Sequence, residues 1–456
     1  MTRGIGKDTL WLTVLLWMFV ESLSDNVWGY PGQGYYIEVE IGSPPQKLNV
    51  LLDTGSANLA VAAAPLSNVE KFFQSNISKT YEATGQSVSV TYTQGTWHGM
   101  LGSDLVQVPS VHASQVRCDI ALIQESEDFF TNGSKWQGIM GLGYGVLAQP
   151  RGTTTSWLTA ISPSAFALQL GCSSEENSME VHGVLEILHP PFPKPPFCAT
   201  IIREWFYEVI VTGVWVDDVT VNIPCEEFNN DKSIVDSGTT NLRFPRKVFQ
   251  EVVKMINNSV RSHGINISDA FWNQESVACL DTKPETIFPS LALGLARDDG
   301  QYFKVVLDPQ SYLHRDLENH SQFNCHQLAL EPSDTGTVLG LVFLEGLKVI
   351  FDRTSRSVCF SSSSCGGPPV LLEGPFACDN DPMNCVHRDD VASALTAISV
   401  TMGAFLSVAA IIVAYLACSR FLHPYLCPVK SQWPRRSRSR RELLPRSSDL
   451  DLTTAT

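Results

Sequence analysis

The chain has 456 residues, 44% of them hydrophobic, so it can bury a large core and form two or three domains. Its formal net charge of −15 argues against a nucleic-acid partner, because nucleic acids are bound by basic surfaces. The sequence contains neither a His-Glu-x-x-His zinc motif nor a Gly-x-x-x-x-Gly-Lys phosphate loop. We therefore predict that the protein uses no metal and no other cofactor.

The first 24 residues have the pattern of a secretory signal peptide. Arg3 and Lys7 precede the apolar run Leu10–Val20, and small residues follow at cleavage spacing. An uncleaved membrane anchor is the alternative, although the apolar run is short for a membrane span. Residues 25–33 would then be a vestigial prosegment or a linker.

The body of the chain reads mainly as short strands. Tyr35–Ile41 alternates between apolar and polar residues, and Leu48–Leu52 is an apolar strand. Val88–Thr93 and Trp97–Leu101 predict a hairpin with a Gln-Gly turn. Helical periodicity is clearest in Arg246–Val260. Many short strands separated by turns predict an all-β fold.

One short motif occurs twice. Val50–Ser56 ends in Asp-Thr-Gly-Ser, and Ser233–Thr240 contains Asp-Ser-Gly-Thr-Thr, each after an apolar run. The two aspartates, Asp53 and Asp236, are the candidate catalytic residues. Two carboxylates about 3 Å apart share one proton, so one can act as general base on a water while the other acts as general acid.

The neighbours of each aspartate suit this chemistry. Gly55 and Gly238 permit a tight turn in which backbone N–H groups approach the carboxylates. The hydroxyls of Ser56 and Thr239 can donate hydrogen bonds to the outer carboxylate oxygens. A single Asp-x-Gly would fit an ordinary turn equally well. Two copies, each behind an apolar strand, favour a catalytic pair.

A second repeat indicates that the two halves of the body are similar. Gly138–Gly143 and Thr337–Val342 share a step of two hydrophobic residues followed by glycine. Ordinary buried strands are the alternative for this weaker repeat. We predict two lobes, residues 34–200 and residues 201–385.

The C-terminal region has the pattern of a membrane anchor. Val391–Ser419 contains 29 residues without a charge, more than the ~20 that span a bilayer, so a buried core helix is the weaker alternative. The basic run Arg435–Arg441 follows and is expected to face the cytosol. We predict a stalk at 386–390, a transmembrane helix at 391–419 and a cytoplasmic tail at 420–456.

This topology would place the body of the chain in an oxidising compartment. Ten of the 12 cysteines lie between Cys118 and Cys385, and an even number suits disulfides. N-glycosylation sequons support the same compartment, although sequons also arise by chance; they occur at Asn76, Asn132, Asn257, Asn266 and Asn319.

Residues from Gly34 to about Cys385 resemble the pepsin-type aspartic proteases, and within them the membrane-bound beta-secretase (memapsin) branch. The resemblance to that branch is carried by five stretches: Tyr92–Trp97, Asn132–Trp136, Arg203–Glu208, Asp231–Leu242 and Phe351–Arg353. A transmembrane span after the protease is also typical of that branch. The resemblance implies a bilobal pepsin-like fold followed by a single transmembrane helix.

The resemblance also implies roles for individual residues. Asp53 and Asp236 would be the catalytic pair, and Tyr92 would lie on a flap over the cleft with its hydroxyl oriented by Trp97. Arg243 would line the cleft and favour polar or acidic side chains, and a surface arginine is the alternative. The implied substrate-binding set is Gly55, Tyr92, Thr93, Gln94, Trp97, Gly238, Thr239, Thr240 and Arg243.

By the same resemblance, disulfides would join Cys172 to Cys365, Cys225 to Cys385 and Cys279 to Cys325. Cys118, Cys198, Cys359 and Cys378 are left without an assigned partner.

Residues 171–200 depart from the family pattern, and the segment 190–196 contains five prolines, which cannot donate to a sheet ladder.

The function implied is that of a type I membrane aspartic endopeptidase. It would cleave peptide segments in the lumenal or extracellular regions of membrane proteins such as amyloid-precursor-like proteins, and would reside in the Golgi, endosomes and cell surface. The lipid bilayer would be its partner through residues 391–419. A catalytically impaired binding protein that retains the cleft is the alternative, and a secreted digestive protease is a third. The oligomeric state stays open.

Overall fold

The computed structural model of the protein describes residues 25–30, 34–172, 180–315 and 324–386. Strands dominate these ranges. Those in the first part of the chain are β1 (Val27–Tyr30), β2 (Gly34–Ile41), β3 (Gln46–Asp53), β4 (Leu59–Ala62), β5 (Glu82–Thr91), β6 (Thr96–Gln107), β7 (Val116–Glu127), β8 (Gly138–Gly141), β9 (Ala165–Cys172), β10 (Val181–Leu188) and β11 (Phe197–Thr200).

The second part of the chain also consists mainly of strands. Its strands are β12 (Val211–Val216), β13 (Val219–Thr220), β14 (Ser233–Val235), β15 (Leu242–Pro245), β16 (Ala278–Cys279), β17 (Leu291–Ala296), β18 (Gln301–Leu307), β19 (Leu313–Arg315), β20 (Cys325–Leu328), β21 (Leu330–Ser333), β22 (Thr337–Leu339), β23 (Leu347–Asp352), β24 (Ser357–Ser362) and β25 (Val370–Ala377).

Helices are few in the described ranges. The α-helices are α1 (Trp157–Ile161), α2 (Cys225–Phe228), α3 (Arg246–Ser262), α4 (Asp269–Trp272), α5 (Pro309–Tyr312) and α6 (Leu341–Leu344), and short 3-10 turns lie at Pro109–Val111, Gly145–Leu147, Pro284–Thr286 and Pro382–Cys385. The all-β prediction is therefore confirmed in its main point, a fold of sheets with few helices.

The helix predicted from periodicity is present as α3. It begins after Pro245 and buries Val248, Val252, Ile256 and Val260, which recur at intervals of four residues. This spacing places them on one face, so the helix packs on the core while its charged residues face outward. Gly264, with φ of +79°, follows the last turn and suits a chain that leaves a helix.

One sheet of 13 strands runs through both halves of the chain. Its order is β11-β24-β23-β9-β10-β1-β2-β3-β8-β4-β7-β6-β5, so strands from the second half lie beside β9 from the first half. All eight residues of β9 are buried, because strands flank it on both sides and side chains cover both of its faces. The predicted strands 35–41 and 48–52 lie within β2 and β3 of this sheet.

Smaller sheets complete the second half. Five strands pair in the order β13-β12-β17-β18-β25, four in the order β14-β22-β15-β21, and three in the order β16-β20-β19. The four-stranded sheet contains the second aspartate motif. Its inner face carries Val235, Leu242, Phe244 and Leu339, all with 0% exposure, so this sheet is anchored to the main core.

Part of the segment predicted as a prosegment or linker belongs to the fold. Val27–Tyr30 forms β1, which pairs with β2 on one side and with β10 on the other. Asn26, just before it, donates through Nδ2 to the carbonyl of Leu185 and accepts from the N–H of the same residue. Residues 27–30 are therefore a strand of the large sheet, and the interpretation of residues 25–33 as a vestigial prosegment or a linker stays a prediction.

The unusual segment 171–200 also contributes strands. Its described residues include the end of β9, all of β10 and all of β11. The proline-rich connection between β10 and β11 is held by Lys194, whose Nζ lies 2.6 Å from a carboxylate oxygen of the buried Asp352. Phe192 packs against the small apolar cluster around Ile350. The prolines therefore occupy a loop, where no ladder hydrogen bonds are needed.

Four disulfides are present in the described residues. They join Cys172 to Cys365, Cys225 to Cys385 and Cys279 to Cys325, the pairs that the resemblance implied, and also Cys198 to Cys359. The fourth pair joins directly opposed residues of β11 and β24. Cys118 and Cys378 have no disulfide partner among the residues that the structure describes, and the first of them is buried.

Several sequence predictions fall outside the described ranges. These are the signal peptide, the stalk from residue 387, the transmembrane helix 391–419, the tail and Asn319. Among the helices in the described ranges, none has both the length and the apolar character needed to cross a membrane. The sequon residues Asn76, Asn132 and Asn266 are exposed, whereas Asn257 is half-buried on α3.

Candidate active site

The two aspartate motifs occupy equivalent positions in their sheets. Asp53 ends β3, which pairs in parallel with β8, and Asp236 follows β14, which pairs in parallel with β22. These partner strands are the weaker repeat seen in the sequence. In each half, an aspartate strand and a hydrophobic-glycine strand therefore form the same two-stranded unit, and each unit delivers one carboxylate to the site.

Each carboxylate accepts hydrogen bonds from its own loop. The N–H of Gly55 donates to Asp53 Oδ1 at 2.8 Å, and the Ser56 hydroxyl donates to Oδ2. The second copy repeats this arrangement. The N–H of Gly238 donates to Asp236 Oδ1 at 2.9 Å, and Thr239 Oγ1 donates to Oδ2 at 2.7 Å. These bonds hold both carboxylates in fixed orientations.

The residues between Asp and Gly join the two loops, a role that the sequence analysis missed. Thr54 Oγ1 donates to the carbonyl of Val235 and accepts from the N–H of Ser237. Ser237 Oγ in turn donates to the carbonyl of Leu52 and accepts from the N–H of Thr54. The presence of a hydroxyl residue after both aspartates was the available sequence signal for this reciprocal clamp.

The clamp brings the two carboxyl groups into contact. A side chain on Gly55 would place its Cβ 2.5 Å from Oδ1 of Asp236, and one on Gly238 would collide with Oδ1 of Asp53. Only glycine leaves room for this approach. The two aspartates are 4% and 8% exposed, so both charges are removed from bulk water. Burial and the neighbouring Asp236 hold the pKa of Asp53 well above its usual value of 3.8.

The predicted hairpin is formed by β5 and β6. Val90 pairs with Trp97 and Thr91 with Thr96, and the N–H of Tyr92 donates to the carbonyl of Gly95 at 3.0 Å. Gly95 has φ of +83° and lies against the backbone of Phe129, where a side chain would not fit. Thr93 and Gln94 are exposed at the tip, as expected for residues that can contact a ligand.

Tyr92 lies beside the aspartates. Burial, together with the charge of Asp53, raises the pKa of Tyr92, and its hydroxyl lies near Ser56 and Trp97. Neither the Tyr92 hydroxyl nor Trp97 Nε1 meets hydrogen-bond geometry with a partner among the described residues. The Tyr92 ring stacks on Phe129 with a centroid separation of 5.6 Å. The hairpin tip is therefore anchored by an aromatic contact, with the Tyr92 hydroxyl beside Ser56 and Asp53.

The remaining predicted residues follow the second aspartate in the chain. Thr240 accepts a backbone hydrogen bond from Val342 at 3.1 Å. Arg243 lies on β15, and its guanidinium Nε is 2.8 Å from Glu331 on β21. This acidic partner was not predicted from the sequence. No group of three or more His, Cys, Asp or Glu side chains within the described ranges could hold a metal ion.

The site thus pairs two buried aspartates, held by symmetric hydrogen bonds, beneath an aromatic hairpin. Residues 34–363 match the eukaryotic aspartyl protease family. The chain therefore belongs to the eukaryotic aspartyl proteases and is an aspartic-type endopeptidase.

Similar proteins specify the branch. The chain is 39% identical over 409 residues to a beta-secretase from Strongylocentrotus purpuratus, covering 80% of this chain and 75% of that protein. It is 25% identical to gastricsin from Cavia porcellus, covering 74% of this chain and 82% of the relative. Identity to pepsin II-1 from Oryctolagus cuniculus is 24%, with 76% and 85% covered. The identity to the beta-secretase is higher than the identity to gastricsin or to pepsin II-1, which supports the assignment of this chain to the beta-secretase branch of the family.

Proposed function

We propose that this endopeptidase hydrolyses peptide bonds through a water activated between Asp53 and Asp236. The observation that carries the proposal is the contact of two buried carboxyl groups, each oriented by a backbone N–H and a hydroxyl. Because Asp53 has a raised pKa beside Asp236, the pair keeps one proton over the mildly acidic range. The protonated carboxyl of the pair then donates to the scissile carbonyl oxygen while the ionised one takes a proton from the attacking water.

The hairpin completes the site. With a peptide in the cleft, the exposed tip residues Thr93 and Gln94 reach its backbone, and Tyr92 covers the aspartates. Exclusion of bulk water strengthens the hydrogen bonds and charges at the reacting atoms. The reaction needs no group beyond a water and the residues of this chain.

We further propose that the enzyme is a type I membrane protein of the secretory pathway and cleaves the lumenal or extracellular stalks of other membrane proteins, amyloid-precursor-like proteins among them. The uncharged run 391–419 and the basic run after it support the anchor. The similarity to a beta-secretase supports the substrate class. Anchoring enzyme and substrate in one surface raises their effective concentration.

The catalytic test uses the full-length chain reconstituted in vesicles and a fluorogenic peptide library. Asp53→Asn and Asp236→Asn should each fold and lose nearly all turnover, because neither carboxyl alone can be acid and base in one step. Asp334→Asn is the matched control, since its side chain is 73% exposed and lies on the surface. Full activity in either dyad variant would contradict the assignment.

The alternative of a binding protein without turnover predicts that the wild-type chain binds peptides and cleaves none. The intact hydrogen bonds to both carboxylates favour the enzyme.

The membrane proposal has its own test: a substrate stalk fused to a transmembrane helix in the same vesicles should be cleaved much faster than the free stalk peptide. Equal cleavage rates for the anchored and the free substrate would argue against the proposal that anchoring in a shared membrane promotes cleavage.

A further inference from the structure

A row of four residues crosses the four-stranded sheet beside the catalytic pair. Ile234 on β14 pairs with Val338 on β22, Val338 pairs with Arg243 on β15, and Arg243 pairs with Glu331 on β21. Residues that are directly opposed on neighbouring strands point to the same face of a sheet. The side chains of Arg243 and Glu331 therefore share one face with Ile234.

That face is also the face of Asp236. Side chains alternate along a strand, so Asp236, two residues after Ile234, continues on the same side. The opposite face carries Val235, Leu339, Leu242 and Leu330, which are fully buried in the core. With strands about 4.8 Å apart, Arg243 lies two strand spacings, roughly 10 Å, from the strand that delivers Asp236. A peptide bound at the aspartates extends across this distance within about three residues.

Arg243 is not an unpaired cation. Its Nε lies 2.8 Å from Glu331 Oε2, and the two side chains are 19% and 28% exposed. Glu331 Oε1 accepts a 2.6 Å hydrogen bond from Asn241 Nδ2. Oε1 therefore accepts a hydrogen bond and Oε2 makes an ion-pair contact that lacks hydrogen-bond geometry, both with groups on the segment that follows the second aspartate motif. The pair is half-buried, so water screens it less than a surface pair.

We propose that Glu331 is a specificity-determining residue, which neutralises Arg243 so that the cleft beside Asp236 accepts uncharged polar substrate side chains in preference to acidic ones. This inference rests on the proposed peptidase function. An arginine alone at this place would attract a substrate carboxylate. With Glu331 in contact, an incoming carboxylate meets a second negative charge and an arginine that already has a partner. Amide and hydroxyl side chains can still hydrogen-bond to the guanidinium.

A purely structural role would be different. In that case the pair would only hold β15 against β21, and its loss would lower stability and turnover for every substrate alike. The two roles are separated by a ratio, the kcat/KM for an acidic peptide divided by that for its amide analogue. A smaller amount of folded or well-positioned enzyme lowers kcat/KM for both peptides by the same factor, so the ratio does not change. A change in the charge of the cleft affects the two peptides differently, so the ratio changes.

The experiment uses the full-length enzyme and a parent peptide chosen from the fluorogenic library. At each of four positions on either side of the scissile bond, Asp is compared with Asn and Glu with Gln, at about pH 5 where a peptide carboxylate is ionised. For the wild-type enzyme, the acidic peptide should be the poorer substrate at the responsive position. Glu331→Gln should raise the acidic-to-amide ratio there by about tenfold, the scale of one charge contact in recognition.

The reverse change should have the opposite sign. Arg243→Gln leaves Glu331 without its partner, so the ratio should fall below that of the wild type, and the double variant should return close to it. Asp334→Asn is the matched control, because it breaks the exposed 2.7 Å pair between Arg246 and Asp334 with the same change of charge. That variant should leave the ratio unchanged at every position.

An unchanged ratio in Glu331→Gln at all eight positions would overturn the proposal. The proposal also fails if Glu331→Gln and Arg243→Gln shift the ratio in the same direction, or if Asp334→Asn reproduces the shift. Failure of the proposed function looks different. In that case the wild-type enzyme cleaves no library peptide, or Asp236→Asn cleaves the parent peptide as fast as the wild type does.

Discussion

The phenol of Tyr35 donates a 2.7 Å hydrogen bond to Oε1 of Glu345, a residue 310 positions later in the chain. Tyr35 lies on β2, and Glu345 lies in the turn between α6 and β23. Both side chains are buried. Burial raises the pKa of Glu345 from its ordinary value of 4.5 to about 7. A carboxyl group in the interior therefore joins the two halves of the molecule.

The first prediction concerns stability and pH. Because the pKa of Glu345 is higher in the folded protein, its contribution is fully present below pH 4.5 and is lost as the pH rises through 7. The loss should be about 3 kcal/mol over this window. Glu345→Gln should remove this part of the pH dependence, as measured by urea unfolding from pH 4 to 8.

Two controls sharpen this measurement. Tyr35→Phe removes the hydrogen bond that lowers the pKa of Glu345, so the loss should move to higher pH. Glu38→Gln changes an exposed carboxylate and should leave the pH dependence as it is in the wild type. Parallel pH curves for the wild type and Glu345→Gln would show that the buried carboxyl does not titrate in this range.

The second prediction concerns the clamp between the two aspartate loops. Ser237→Ala leaves the buried N–H of Thr54 and the carbonyl of Leu52 without the partners they have now. We expect a loss of about 2 kcal/mol in unfolding free energy and a larger fractional loss of kcat than of substrate binding. Ser237→Thr should restore both, because Thr54 performs the same role with a threonine. A Thr variant as impaired as Ala would exclude the hydroxyl as the cause.

The third prediction separates the two functions of Tyr92. Its hydroxyl has no hydrogen-bond partner among the described residues, whereas its ring stacks on Phe129. Tyr92→Phe should therefore lower kcat while the Tm stays nearly constant. Tyr92→Ala should lower kcat further and also cost about 1 kcal/mol of stability through the lost ring contact. Thermal unfolding and specific activity are measured on the same preparations, and a large fall in Tm for Tyr92→Phe would point to a structural hydroxyl.

The fourth prediction concerns the disulfide between Cys198 and Cys359. It links residues separated by 161 positions, so its loss should increase the freedom of the unfolded chain. Replacing both cysteines with serine should cost about 2–4 kcal/mol of stability. Peptide mapping without reduction should recover the two cysteines in one linked fragment. A free thiol at either position would contradict the pairing.

The two aspartate loops and the hairpin were predicted from the sequence because they are local, whereas the catalytic and binding roles of their residues stay predictions. The Asp53 and Asp236 loops are short, repeated and preceded by apolar strands, so their chemistry could be inferred from one stretch at a time. The hairpin that carries Tyr92 has the same local character. The clamp of Thr54 and Ser237 was missed because each hydroxyl binds the other loop, and the hydroxyl residue that follows each aspartate does not by itself show that the two loops meet.

Long-range pairings were likewise beyond the sequence. The strand Val27–Tyr30 is only four residues long, and its partners include β10, which lies more than 150 residues away. The disulfide between Cys198 and Cys359 follows from the adjacency of β11 and β24, and the pair of Arg243 and Glu331 follows from that of β15 and β21. Such adjacencies are set by the whole sheet order, which local periodicity does not encode.

The order of the large sheet also governs how the protein can be made. On its edge away from β10, β9 pairs with β23. Because β23 lies about 180 residues later in the chain, the ribosome synthesises it well after β9. Until then, a strand whose eight residues are all buried in the folded protein presents unpaired N–H and C=O groups on one edge. Because synthesis proceeds at about 5–20 residues per second, this edge stays open for roughly ten seconds or more. The nascent first half is therefore exposed to aggregation, and chaperone binding at β9 during translation would protect it.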